Sequence, residues 1–317
     1  MIRIRKATLT DYYDIWQVHA SDIEQWVDQA GQVIPEVWSK TSMAERWQLG
    51  GPWMSPETCA IHLNALLLAG QTPLVACRGG KVLGEAELFL GDDAAFGGRT
   101  LNISVLYVHR AARGRGIGSA LMKEVLRRAR VFGCHAVTVY NPSPEAEGLY
   151  RRFGLEEVFL QSVLVVPTHG TSSRHRLGLT PIPWPSSHQP LKDLLLWAGS
   201  YQSSVQCWQQ LCWAITPGLY ALPLKPVVEG MVLASDSGHN PAYICLRPLG
   251  NGEQAQLHIW SRRPDPEMVS TVMPWAKQAG IEHLQIVAGQ ETCRTLQRTF
   301  GGQSHSGHKR LALRLRH

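Results

Sequence analysis

Leu106-Tyr107-Val108-His109-Arg110-Ala111-Ala112-Arg113-Gly114-Arg115-Gly116-Ile117-Gly118 joins an extended apolar run, Leu101 to Val108, to a segment, Ser119 to Phe132, that reads as a helix. Strand, glycine-rich turn and helix in that order form a site for a phosphorylated ligand. Glycine lets backbone N–H groups approach an anion with no Cβ in the way. The helix N-terminus adds orphan donors and about half a positive charge from its dipole. The arginines add fixed charge suited to phosphate oxygens.

Two other phosphate-binding patterns fail on spacing. A P-loop needs Gly-Lys-Ser/Thr, whereas Gly118 is followed by Ser119-Ala120. A dinucleotide fingerprint counted from Gly114 and Gly116 meets Ser119 where the third glycine belongs, and no acidic ribose ligand is clearly placed about 20 residues on. Arg113-x-x-Gly116-x-Gly118 between strand and helix resembles the pyrophosphate signature of the GNAT superfamily, the acyl-CoA-dependent N-acyltransferases. The resemblance implies an α/β (α+β) fold with a mixed central sheet flanked by helices. It implies cofactor contacts from Leu106, Tyr107, Val108, Arg113, Gly114, Arg115, Gly116, Ile117, Gly118 and Ser119. The co-substrate would be acetyl-CoA, and no metal is expected.

Downstream, Cys134 to Tyr140 is β-branched and reads as a strand stopped by Asn141-Pro142-Ser143-Pro144. Ser143 can cap the next helix with Pro144 at its first position. Ala146, Leu149, Tyr150 and Phe153 then form one apolar stripe, ended by Gly154. By the resemblance this strand and helix splay away to admit the pantetheine arm, Asn141 contacts the cofactor and Tyr150 protonates the departing thiolate. A tyrosine on such a stripe is also commonly core. An ordinary phenol, with a pKa of about 10, can nevertheless donate to a thiolate whose conjugate acid sits near 8.5.

The family order of elements extends over residues 1–166. Ile2 to Ala7 reads as a strand, and two or three helices follow between Asp11 and Gly70, with tryptophans at 16, 26, 38, 47 and 53. Leu74 to Arg78 and Val82 to Leu90 read as a hairpin turning at Gly79-Gly80, and Gly91 to Gly98 as a loop. Glu157 to Val166 closes the unit. Glu85 and Glu87 share one face of their strand and are the candidate general bases; a solvated strand face is an equal alternative. Asn102 and Ser104 are not strong bases, and His109 reads as a surface residue.

Pro167 to Pro190, rich in Pro, Ser, Thr and His, reads as a linker (residues 167–190). The remainder, 191–317, repeats the front half. A shift of 147 residues matches Gly133 with Gly280, Leu149 with Leu296, Arg151 with Arg298, Phe153 with Phe300 and Gly154 with Gly301, without a gap. Two GNAT-like domains in tandem follow, the second degenerate. Its turn is Ser261-Arg262-Arg263-Pro264-Asp265-Pro266-Glu267, with no glycine, and Asp265 can cap the helix where a phosphate would sit. Gln297 stands at the Tyr150 position and Ala288 at the Asn141 position.

Composition sets the outer bounds. The 317 residues are 44% hydrophobic and 18% charged, which describes a globular chain long enough for two domains. The net charge of +6 is dispersed, so no nucleic-acid partner is expected. The seven cysteines include no Cys-x-x-Cys pair and read as reduced thiols of a cytoplasmic protein; no apolar run is long enough for a membrane helix. The expected reaction is N-acyl transfer, with acetyl the commonest family choice, to a small-molecule amine or a protein N-terminal or lysine amine. The expected state is a monomer with pseudo-dimeric domains, or a homodimer. A non-catalytic acyl-CoA-binding or scaffold protein on the same fold is the alternative.

Overall fold

The structure is a computed structural model. It describes residues 2–23, 51–93, 96–169, 253–262 and 265–315, with shorter stretches at 26–27, 32–34, 43, 46, 178–181, 195–199, 204–215, 230–234 and 242–249. The front half runs β1 (Arg3–Lys6), α1 (Tyr12–Ala20), β2 (Trp26–Val27), β3 (Val33–Ile34), α2 (Pro56–Leu68), β4 (Leu74–Arg78), β5 (Lys81–Asp93) and β6 (Gly98–Val108). It continues with α3 (Ile117–Val131), β7 (Ala136–Tyr140), α4 (Pro144–Arg152) and β8 (Glu156–Pro167). The rear half runs β9 (Gly178–Pro181), β10 (Leu195–Ala198), α5 (Ser204–Ile215), β11 (Gly230–Ala234), β12 (Ala242–Leu249) and β13 (Gln254–Ser261). It ends with α6 (Pro266–Gln278), β14 (His283–Gly289), α7 (Gln290–Phe300) and β15 (Gln303–Arg314).

Alternation on the strands builds two faces. Ala86 and Leu88 of β5 and Leu101 and Ile103 of β6 turn to one face, where Ile117, Leu121, Met122, Val125 and Ala129 of α3 pack on them. Each such fully buried aliphatic side chain contributes about 1.5–3 kcal/mol. The opposite face carries Glu85, Glu87 and Phe89 and is covered by α1 and α2, with Ile15, Val18, Cys59 and Leu63 packed against Val75 and Val82.

A 13-stranded sheet joins both halves in the order β1-β4-β5-β6-β7-β15-β8-β14-β13-β12-β11-β9, with β10 paired off β13. The last strand of each half crosses into the other. β15 pairs with β7 from Arg310↔Tyr140 to Arg314↔Ala136, and β8 pairs with β14 from His283↔Pro167 to Gly289↔Gln161. Between them, β8 and β15 pair antiparallel with each other. These two strands lie 147 residues apart at both ends (303 minus 156, 314 minus 167), so the sequence offset is also a structural one.

Several boundaries differ from the sequence reading. The expected loop from Gly91 to Gly98 is strand at both ends, because β5 runs on to Asp93 and β6 starts at Gly98. There the buried Asp93 carboxylate accepts from Arg310 Nη2 of β15 at 2.8 Å, and the Arg310 guanidinium lies 4.8 Å from the Phe96 ring centre. The stretch read as a linker contains β9, which pairs with β11 and so finds partners for its backbone. Between α1 and α2 the structure holds the short β2–β3 hairpin and a 3₁₀ turn, Gly51–Met54. Trp38 and Trp47, and the side chain of Trp26, lie outside the described residues.

Six cysteines (59, 77, 134, 207, 245 and 293) are buried and form no disulfide. No helix among the described residues is long and apolar enough to cross a membrane.

Candidate active site

β6 and β7 pair in parallel only from Thr100↔Ala136 to Ile103↔Val139. Beyond Ile103, β6 continues to Val108 paired with β5 alone. The parting coincides with a bulge: Glu87 faces Val105 and Leu88 faces Ile103, so Ser104 is an extra residue. A wedge therefore opens between the strands. His109 N donates to Leu83 O at 2.9 Å, and the two-residue alternation of an antiparallel ladder turns the backbone groups of Leu106 and Val108 into that wedge.

Past the open end of the wedge lies the glycine turn. Gly114 and Gly116 adopt φ of +73° and +80°, a region that side chains with a Cβ rarely enter. Gly116 is the N-cap of α3, and the first helical hydrogen bond to reach back is Ala120 N to Gly116 O at 2.9 Å. The amides of Gly114, Arg115, Gly116, Ile117, Gly118 and Ser119 have no hydrogen-bond partner among the described residues. Nothing lies within 4 Å of where a Cβ would stand at Gly114 or Gly116. Six open donors at the positive end of a four-turn helix fit a diphosphate. Gly118 packs the helix against α4, since a Cβ there would stand 3.1 Å from Leu149 Cδ2.

The two arginines of the turn part company. Arg113 is tied to the Asp22 carboxylate, donates through Nε to Val108 O at 3.1 Å and stacks on the Tyr107 ring. Tyr107 OH also donates to Asp22. Burial raises the Asp22 carboxyl, but these two donors outweigh it and hold Asp22 below the ordinary carboxylate range. The expected phosphate charge at Arg113 is thus neutralised internally, while exposed Arg115 makes no ion pair among the described residues. Asn141 sits exposed at the end of β7 with φ +42° and donates through its N–H to Lys309 O at 2.7 Å.

Tyr150 stands on α4, which Ser143 caps by accepting from Ala146 N at 3.3 Å. Its ring is buried with Ile117, Leu121 and Leu149 in the core beneath the wedge, and burial raises its phenol well above the usual value. Its hydroxyl has no hydrogen-bond partner among the described residues.

Glu85 and Glu87 are not on a solvated face: they are 1% and 2% exposed, each against a histidine. Glu85 meets His19 Nε2, and the His19 ring stacks between Trp53 (5.1 Å) and Tyr107 (4.4 Å). Glu87 accepts from His62 Nε2 at 3.1 Å on both oxygens and from Trp53 Nε1 at 2.9 Å. The two carboxyls diverge. Burial keeps Glu85 raised despite His19, whereas for Glu87 the charge and hydrogen bonds of His62, with Trp53, overcome burial and lower it. Burial alone would lower His62, but the Glu87 charge raises it. His19, His62, Asp22 and Trp53 complete the constellation, and no local motif marked the two histidines or Asp22: each sits on or beside a helix remote in sequence.

The His62–Glu87 pair stabilises the fold within a defined pH window. The Glu87 part is present above its ordinary value of 4.5 and is lost as pH falls through its lowered folded value. The His62 part is complete below 6.5 and is lost as pH rises through its raised folded value. Glu87→Gln strands the imidazolium in the interior and is expected to cost about 3–5 kcal/mol. Urea unfolding between pH 5 and 6.5 checks it; a deficit under about 1 kcal/mol there means that the pair is solvated.

Among the described residues of the rear half no such cradle is seen. Asp265 Oδ1 accepts from Glu267 N at 3.0 Å and caps α6, with Pro266 at its first position. Gln297 donates to Gly302 O at 3.2 Å, and Ala288 is buried in β14. No group of three or more His, Cys, Asp or Glu that could hold a metal occurs among the described residues.

Residues 32–155 match the family described as Acetyltransferase (GNAT) family. A GNAT-family domain therefore lies within the front half of the chain. Over 64 residues the chain is 36% identical to Glucosamine 6-phosphate N-acetyltransferase 1 of Oryza sativa subsp. japonica, a stretch that is 20% of this chain and 38% of that protein. A GCN5-related N-acetyltransferase structure from Anabaena variabilis superposes with a TM-score of 0.65 at 13% identity, covering 98% of this chain and 72% of the other. One from Kribbella flavida gives 0.60 at 13% identity, covering 99% and 72%. At these identities the likeness is one of fold, and it runs through the rear half as well as the front. The GNAT fold expected from the glycine turn is therefore present, with its bulge and wedge.

Proposed function

We propose that the protein is an acyl-CoA-dependent N-acyltransferase whose front half works and whose rear half is a degenerate copy. The observation that carries this reading is the row of six open amides, 114–119, at the head of a wedge that exposes the edge of β6. The amides hold the diphosphate, and Leu106 and Val108 offer backbone groups to the pantetheine arm. Bound acyl-CoA supplies the thioester carbonyl that an amine attacks.

Of the two carboxyls, Glu85 suits the general base. Its raised pKa strengthens it toward an ammonium proton, and His19 extends it toward Tyr107 on β6. Glu87, fixed by two donors, orients Trp53 and His62 instead. Burial raises the Tyr150 phenol, which keeps it protonated but makes it a weaker acid; its assignment as donor to the departing thiolate rests on its place on α4 and not on that shift. The acceptor is a primary amine; an amino sugar is one member of that class, since the Oryza sativa relative bears the name of a glucosamine 6-phosphate acetyltransferase.

Ser119→Asp tests the cradle. An acidic residue in the first turn helps the helix by about 0.3–1 kcal/mol. The same charge repels a diphosphate, so CoA affinity is expected to fall about 10- to 100-fold with melting temperature held or raised. Calorimetry with CoA reads the first and a thermal scan the second. Undiminished CoA binding removes the amides from the site and the reading with them.

A further inference from the structure

We propose that the rear half sets the length of acyl group the front half accepts, through Gln206 on α5. This rests on the acyl-CoA reading above. With the diphosphate at residues 114–119, the thioester arm runs back along the unpaired edge of β6, from Val108 toward Ser104. Its acyl end reaches the vertex where Ile103 rejoins Val139.

A polar chain closes that vertex. Thr138 Oγ1 of β7 donates to Asn102 Oδ1 of β6 at 2.9 Å, and Asn102 Nδ2 donates to Gln206 Oε1 at 3.0 Å. Gln206 Nε2 then donates to Oγ of Ser104, the bulge residue, at 2.7 Å. Thr138 and Asn102 are fully buried and Gln206 is 1% exposed. The helix bearing Gln206 is pinned on both sides. Val205 fills the space over Gly91, where a Cβ would stand 2.2 Å from its Cγ2, and Gln209 Oε1 accepts from Gln71 Nε2 at 3.0 Å.

Lengthening the acyl chamber toward α5 would strip partners from the buried amides of Asn102 and Gln206, each costly to leave unpaired. The vertex thus admits a short acyl group and resists a longer one. Gln206 is a positioning and specificity residue contributed by the half that has no cradle of its own.

Calorimetry on the full-length protein with CoA, acetyl-CoA and hexanoyl-CoA tests this. Wild type is expected to bind acetyl-CoA more tightly than hexanoyl-CoA. Gln206→Ala is expected to leave CoA affinity in place and raise hexanoyl-CoA affinity relative to acetyl-CoA about tenfold or more, as extra methylenes enter the vacated space. Gln209→Ala, which loosens the same helix away from the vertex, is expected to leave the ratio unchanged. An unmoved ratio in Gln206→Ala, or an equal shift in Gln209→Ala, overturns the proposal while CoA binding keeps the parent reading. Failure of the wild type to bind CoA at all overturns both.

Discussion

Tyr150→Phe is expected to lower turnover about 10²- to 10⁴-fold, the usual contribution of a positioned general acid. The substitution removes one oxygen and keeps the ring. Because the hydroxyl has no partner among the described residues, no buried group is left unpaired, and stability should be nearly unchanged. CoA affinity should hold, since the cradle lies on α3 and the turn before it, not on α4. A panel of amine acceptors with detection of free thiol supplies kcat, and calorimetry supplies the CoA dissociation constant. Unaltered turnover would remove Tyr150 from the chemistry and leave it as core; turnover absent in the wild type across the panel would favour a CoA-binding scaffold.

The second large effect concerns the exchanged strands. Removal of residues 303–317 takes away β15, which supplies one of the two partners of β7 and one of the two partners of β8. It also removes Arg310 from the buried Asp93 carboxylate and Lys309 from Glu147. The truncated chain has two open edges in mid-sheet and a stranded buried charge, a loss comparable with the whole stability of a domain, about 5–15 kcal/mol. Residues 1–167 alone lose β14 as well as β15, so β8 keeps neither partner, and they are expected to aggregate or to pair with a second copy. Size-exclusion chromatography and amide hydrogen exchange read the outcome. A stable monomer of 1–167 binding CoA as the full chain does would mean that the exchange is dispensable.

The glycine turn was legible because it is local. A run of thirteen residues holds the strand end, the glycines at positive φ and the first turn of α3, and the open backbone amides are consecutive along the chain, so spacing alone specifies their geometry. The self-capped turn of the rear half was legible for the same reason, as Asp265 and Pro266 act on their own helix. Arg113 was read by type and not by partner: Asp22, 91 residues away, takes its charge. Glu85 and Glu87 were found by strand alternation. Their burial depends on His19 from α1 and His62 from α2, whose approach no local pattern encodes.

The strand–turn–helix order around the glycine turn, the apolar stripe carrying Tyr150 and the 147-residue repeat were determined by the sequence alone, since each follows from periodicity or from residues adjacent along the chain. Only the tertiary structure decided that β8 and β15 trade places, that two buried Glu–His pairs stand under α1 and α2, and that Gln206 reaches the vertex of the other half. A repeat shows that two units are alike without saying which copy of a strand each unit uses. Strand pairing is satisfied equally by the partner from either half, and the choice is made by contacts distant in sequence, such as Arg310 with Asp93 and Gln206 with Asn102.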